Sequence, residues 1–318
     1  MQFRSEGPGV RPIRILLRTA REQSDEWRDA FTAALPEATI TVWPAVDERP
    51  DYVIAWKPRA ELFARVAPPR AIFNLGAGVD AMLAVPTLPD VPLYRLEDAG
   101  MAEQMAEYVT LAALGAYRER REYERAQREC VWAPRSRRPK SDFAVGLLGF
   151  GVLGRAVGAA LAVFGFPLLA WVRERRAIDG VETFVGACGL ASMLARTRVL
   201  VVMLPSTRET AGMVDAALLA QLPHDAHLVN VARGELVVEA DLLEALAAGR
   251  LASATLDVFR DEPLPPSHPF WHHPRITVTP HVSAATLVGE SAAQIASKIR
   301  ALERGERASG RVDRARGY

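Results

Sequence analysis

Arg233, Glu262 and His281 each come just after an apolar run, in the stretches VARG (231–234), LDVFRDEP (256–263) and TPH (279–281). An arginine supplies a permanent cation with forked donors that suit a carboxylate. Histidine, with a free pKa of about 6.5, exchanges protons near neutrality. A carboxylate beside it fixes its tautomer. Reducing a 2-oxo acid asks this of a protein: a cation for the carboxylate and a proton donor for the forming alkoxide, with hydride from a nicotinamide.

Such residues can converge only if their strands lie side by side. In open α/β sheets the ligand crevice lies beyond the carboxyl ends of the strands. The stretch 143–154, FAVGLLGFGVLG, supplies the cofactor half of that geometry. An apolar run reads as a strand buried on both faces, and it enters Gly149, Gly151 and Gly154 and then a helical pattern at 155–163. Gly149 allows the tight turn, Gly151 lets a pyrophosphate approach, and Gly154 lets helix pack on strand. The helix start at Val152 and Leu153 offers N–H groups and a positive dipole end to phosphate. In an NAD site an acidic residue stands about 20 positions further on. Here that strand ends in Val172 and Arg173, followed by Glu174, Arg175 and Arg176. Three arginines and no acid at the strand end fit a 2′-phosphate, hence NADP. Glu174 alternates away from Arg173 if strand geometry continues.

The elements that carry these residues follow from the pattern in chain order. Strands are expected at 13–17, 39–42, 52–56 and 71–74, with helices from 25 to 35, capped by Ser24, and at 60–66. This alternation implies a parallel sheet with covering helices. The strand at 71–74 stops at Gly76-Ala77-Gly78, where Val79 and Asp80 begin a helix; such a turn can receive a small anion or can be a plain turn. A single long helix is expected over 101–125, then a Pro/Arg-rich loop over 127–142 that includes Trp132. Six strands are expected between 143 and 281, a full doubly wound unit. A last helix, 291–304, lies beyond it and returns to the first domain. The fold class is therefore α/β with two doubly wound parallel-sheet domains: a Rossmann cofactor domain over 101–285 and a discontinuous, flavodoxin-like substrate domain over 1–100 and 286–318. Residues 307–318, basic and polar, read as a surface tail, with folding back onto the body as the alternative.

The 318 residues carry a net charge of +1, so no global field favours nucleic acid. Two cysteines, Cys130 and Cys188, make no CxxC and suit a reducing cytosol. No apolar run reaches the length of a membrane span, and residues 1–12 read as a loose polar tail without a leader pattern. The remaining histidines, including the pair His272-His273, match no metal-ligand spacing, and no metal is expected. These features point to a cytoplasmic protein.

On these residues the chain resembles the D-isomer-specific 2-hydroxyacid dehydrogenase family, and within it the glyoxylate/hydroxypyruvate reductase A branch. The motifs are NLGAGVD (74–80), RLEDAGMAEQMAEY (95–108), GFGVLG (149–154), LLAWVRERR (168–176), LPSTRET (204–210), VNVARG (229–234), LDVFRDEPLP (256–265), TPHVSAAT (279–286) and the ending VDRARGY. The resemblance implies His281 as general acid, Glu262 as its partner and Arg233 as the clamp on substrate. It implies that the backbone of Ala77, Gly78 and Val79 receives the substrate carboxylate. Leu204, Pro205, Thr210, Val231 and Ala232 would line the cofactor, and Asp257 would meet its carboxamide. Trp56 would form a pocket wall, and Trp132 would reach the pocket of a partner subunit in a homodimer. The implied reaction is NADPH-dependent reduction of glyoxylate and hydroxypyruvate to glycolate and D-glycerate. Larger 2-oxo acids are the alternative substrates. A dinucleotide-binding corepressor is the alternative outside enzymes, and the complete Arg233, Glu262, His281 set argues against it.

Overall fold

The computed structural model describes residues 12–45 and 47–318. The loose tail read over 1–12 thus lies, but for Pro12, outside the described residues. The chain divides into two compact units. One runs to Ala99 and resumes over Thr286–Tyr318; the other is Gly100–Ala285.

The first unit is built on five parallel strands: β1 (Ile13–Arg18), β2 (Ala38–Val42), β3 (Tyr52–Ala55), β4 (Ala71–Asn74) and β5 (Leu93–Tyr94), in the order β2-β1-β3-β4-β5. This is the flavodoxin-like order. Every residue of β3 and β4 is buried, as expected of parallel strands covered on both faces. Leu16, Val53, Leu62, Ile72 and Met82 form one core cluster. The helix Val288–Glu303 packs beside the helix Ser24–Ala34. Ser24 is no cap: it is the first helical residue, and its hydroxyl donates to the Ala20 carbonyl at 3.1 Å. A short 3-10 turn, Arg21–Gln23, leads directly into the helix, so the cap position falls on Gln23, which makes no side-chain capping bond. The last residues fold back onto the body. Arg311 bridges Tyr94, the Val312 N–H donates to Leu93 O at 2.8 Å, and the Arg314 guanidinium donates to the carbonyls of Pro89 and Val91.

The second unit carries seven parallel strands, one more than expected: β6 (Ala144–Leu148), β7 (Leu168–Trp171), β8 (Val181–Phe184), β9 (Thr197–Val202), β10 (Ala226–Asn230), β11 (Leu251–Leu256) and β12 (Ile276–Val278). Their order is β12-β11-β10-β9-β6-β7-β8, so the direction of winding reverses between β6 and β9. The unexpected strand is β8. It lies at the sheet edge, half exposed, and so lacks the apolar run that marks its neighbours.

The long helix is two helices, Met101–Tyr117 and Arg120–Arg128, broken where Glu119 takes a left-handed φ of 53°. Met105, Val109 and Ala113 of the first helix share a core with Val157 and Leu161 of the helix Val152–Val163. The second helix buries no residue.

Candidate active site

At the β6–β9 reversal the chain leaves β6 through Gly149, whose φ of +100° is costly for any residue with a side chain. A Cβ on Gly154 would lie 2.7 Å from the Gly149 carbonyl, so helix and turn touch backbone to backbone. A Cβ on Gly151 would meet nothing within 4 Å, so that face is open to a ligand. Gly151 caps the helix Val152–Val163 without a side-chain bond, and no acidic residue stands in its first turn. The turn therefore fits a pyrophosphate: it presents helix N–H groups, a positive dipole end and open space. Arg173, Arg175 and Arg176 are exposed just past β7. The Arg176 guanidinium also donates to the Phe150 carbonyl at 2.7 Å, which ties the end of β7 to the glycine turn. These residues fit a dinucleotide with a phosphorylated ribose.

Three neighbouring strands, β10, β11 and β12, end beside one another and bring Arg233, Glu262 and His281 to one edge. The joint between the first two loops is Gly234. A Cβ there would sit 1.9 Å from the Phe259 carbonyl carbon and 2.2 Å from Arg260 N. Only glycine lets the Arg233 loop lie on the backbone after β11. That same backbone holds Glu262, since the Phe259 N–H donates to Glu262 Oε1 at 3.1 Å. The other oxygen, Oε2, lies 2.9 Å from His281 Nδ1. Because an ionised carboxylate only accepts, Nδ1 bears the hydrogen and Nε2 is left for exchange with a ligand. The imidazole is 40% exposed, which leaves it reachable. Buried Asn230 shapes the turn before Arg233: its amide donates to Arg233 O at 2.9 Å and accepts from Ala232 N–H at 3.1 Å.

Asp257 is fully buried, and its carboxylate accepts from Thr279 Oγ1 at 2.6 Å, Val282 N at 2.9 Å and Ser283 N at 2.8 Å. Three of its roughly four acceptor positions are thus filled by the chain itself. Thr210 is likewise occupied: its hydroxyl donates to Pro205 O at 2.6 Å and accepts from Thr207 N–H at 2.9 Å, folding the loop that bears Leu204 and Pro205. Val231 is buried and Ala232 half-buried at the end of β10.

In the first unit, the loop after β4 is shaped by Asn74, which is buried at the strand end. Its amide nitrogen donates to the carbonyls of Gly76 and Gly78, both at 2.9 Å. In a trans peptide the N–H points opposite to the C=O, so the N–H groups of Ala77 and Val79 face away from Asn74. Among the described residues no chain acceptor takes either one. The Trp56 ring lies against this loop, since a Cβ on Gly76 would be 2.4 Å from Trp56 Cζ3. Trp132, by contrast, stands 97% exposed on its loop in the second unit. Among the described residues no group of three or more His, Cys, Asp or Glu side chains could hold a metal ion, and no helix is long and apolar enough to cross a membrane. Cys130 and Cys188 are free and exposed.

Sequence reasoning missed Asn74, Asn230 and Gly234 as shaping residues. Each sits in a quoted motif, yet spacing alone does not reveal a carbonyl taken or a Cβ excluded.

A doubly wound sheet with an open glycine turn and a carboxylate-held histidine at its carboxyl edge defines a dinucleotide-dependent oxidoreductase. The chain belongs to the D-isomer specific 2-hydroxyacid dehydrogenase family, whose NAD binding domain matches residues 110–283. Glyoxylate/hydroxypyruvate reductase A of Serratia proteamaculans is 46% identical over 302 residues, 93% of this chain and 96% of that protein. The protein of the same name from Escherichia fergusonii is 46% identical over 299 residues, 92% and 96% of the two chains. A D-isomer specific 2-hydroxyacid dehydrogenase from Xanthobacter autotrophicus Py2, solved with NADPH and MES, superimposes with a TM-score of 0.92 at 40% identity, covering 96% of this chain and all (100%) of that one. The NADPH-dependent glyoxylate/hydroxypyruvate reductase of Sinorhizobium meliloti, solved with NADP and sulfate, gives 0.90 at 36% identity, covering 97% and 100%.

Proposed function

We propose that this chain is an NADPH-dependent reductase that converts glyoxylate and hydroxypyruvate to glycolate and D-glycerate. The observation that carries the reading is the His281–Glu262 pair, 2.9 Å apart, at the carboxyl edge of a dinucleotide-type sheet. The reductases named above, similar over almost the whole chain, support the choice of substrates.

In this reading Gly100–Ala285 is the cofactor unit and the rest is the substrate unit. Gly149, Gly151, Val152, Leu153 and Gly154 hold the pyrophosphate. Arg173, Arg175 and Arg176 take the 2′-phosphate, and Leu204, Pro205, Thr210, Val231 and Ala232 line the dinucleotide. The acceptor position left on Asp257 suits a carboxamide N–H. Bound there, the nicotinamide supplies the hydride that reduces the carbonyl carbon. His281 Nε2 delivers the proton to the carbonyl oxygen, and Glu262 keeps the ring in the tautomer and orientation that this needs. Arg233 clamps the carboxylate and polarises the carbonyl. The outward N–H groups of Ala77 and Val79, with Gly78 between them, receive the carboxylate, and Trp56 walls that pocket.

We further assign a homodimer in the cytoplasm. Trp132, 97% exposed on its loop, is accessible to a second copy, as this reading needs. Free exposed cysteines suit a reducing compartment. The test is NADPH absorbance with glyoxylate, hydroxypyruvate and phenylpyruvate in turn. Oxidation by the first two supports the reading, and preference for phenylpyruvate moves the chain to larger 2-oxo acids. If no 2-oxo acid is reduced while NADPH still binds, the enzyme reading falls to a binding role.

A further inference from the structure

His281 holds a backbone conformation uncommon for a residue with a side chain. Its φ is 55°, in the left-handed region that residues with a side chain seldom occupy. Such a residue persists only where its surroundings over-determine it. Three bonds fix the residue itself: its N–H is shared between Asp257 O at 2.8 Å and Thr279 O at 3.1 Å, and its ring is held by Glu262. The next two N–H groups, those of Val282 and Ser283, both run to the Asp257 carboxylate. Consecutive N–H groups after a left-handed residue form a concavity that favours an anion. Here a side chain of the protein fills it.

The direction of the bonds beyond Asp257 follows from what each group can do. A carboxylate accepts only, so Thr279 Oγ1 donates to it, at 2.6 Å. The Thr279 hydroxyl has then spent its one hydrogen. The Tyr108 hydroxyl, 2.5 Å from Thr279 Oγ1, must therefore be the donor to it. Burial and the nearby Asp257 charge raise the Tyr108 pKa to about 12, so its proton is retained at any working pH. The chain of bonds runs Tyr108 to Thr279 to Asp257, which also receives Val282 N–H and Ser283 N–H. It begins on the helix Met101–Tyr117 and ends on the two residues after His281.

We propose that Tyr108 and Thr279 are positioning residues for proton delivery, acting through Asp257 to hold His281 in its left-handed conformation. Neither needs to touch substrate or cofactor. This rests on His281 being the general acid.

The experiment compares Thr279→Val, Thr279→Ser, Tyr108→Phe, His281→Asn and the double variant Thr279→Val/His281→Asn in the full-length protein. Thr279→Val keeps the shape and removes the hydroxyl. It is expected to lower kcat roughly tenfold or more, with KM for glyoxylate and the NADPH Kd within about twofold of wild type. Thr279→Ser should restore kcat to within about threefold, and Tyr108→Phe should lower it by about three- to tenfold. Adding Thr279→Val to His281→Asn should cost almost nothing more, because both act on one proton transfer. A second readout needs no cofactor: hydrogen exchange at the Val282 and Ser283 amides should quicken in Thr279→Val and Tyr108→Phe. Full kcat in both of those variants, or additive losses in the double variant, overturns the inference. Full kcat in His281→Asn overturns instead the reading on which it rests. If Thr279→Val does not fold, Tyr108→Phe decides by the same two measurements.

Discussion

At the scale of single residues the proposed cofactor choice rests on Arg173, Arg175 and Arg176, where a dinucleotide site of the other kind carries an acid. Arg176 has a structural bond to Phe150 O as well, and Arg173 is the first of the three arginines after β7. Arg173→Ala is expected to raise the NADPH Kd about 10- to 100-fold, the size of one charge-assisted hydrogen bond, and to leave the NADH Kd within about threefold. Fluorescence titration with both cofactors measures the difference. Equal losses would mean that the arginine does not read the 2′-phosphate. The sequence marks these arginines, with Arg233, Glu262 and His281, as candidates because each follows a conspicuous apolar run. Tyr108 was not. Its partner Thr279 is 171 positions away, and no local pattern joins them.

At the scale of elements, buried central strands announced themselves and edges did not. β3, β4 and β6 are apolar at almost every position because both faces are covered. β5 has two residues and β8 is half exposed, so neither produced a signal. The break at Glu119 was hidden for a different reason: it falls inside the charged run RERR (118–121), which holds no glycine or proline to mark it. What favours the break is tertiary, since Arg135 of the following loop reaches Glu119 at 2.7 Å and its N–H donates to the Tyr123 hydroxyl at 3.1 Å. The loop after β4 gives the prediction that belongs to this scale. Asn74→Ala leaves the Gly76 carbonyl with its bond from the Leu96 N–H and frees the Gly78 carbonyl to rotate. KM for glyoxylate is expected to rise about tenfold while kcat changes by less than about threefold. A fall in kcat at unchanged KM would show that the loop does not receive the substrate carboxylate.

For the molecule as a whole, acid sensitivity has a named source in His227. The ring is packed near Phe143, bonds Ser253 Oγ at 2.7 Å, and burial lowers its pKa to about 4. Unfolded, the same histidine titrates at about 6.5. Between these values the unfolded chain binds a proton that the folded chain refuses. Stability is therefore unaffected above about pH 6.5 and declines as pH falls towards 4, by at most about 3 kcal/mol from this group. Thermal melts at pH 7, 5.5 and 4.5 should show a steeper fall in Tm for wild type than for His227→Gln. Parallel curves would assign the acid loss elsewhere.

The interrupted path of the first unit also dictates an order of assembly. Ribosomal synthesis delivers Gly100–Ala285 complete while the sheet of the first unit still waits for the helix Val288–Glu303 and for the contacts of Arg311, Val312 and Arg314 with the segment from Pro89 to Tyr94. Domains generally fold as units as they emerge. A chain stopped after Ala285 is thus expected to resist protease over 100–285 and to be cut within 12–99. The nascent polypeptide would acquire its nucleotide fold first, and its last few residues would act as the clasp that closes the older half.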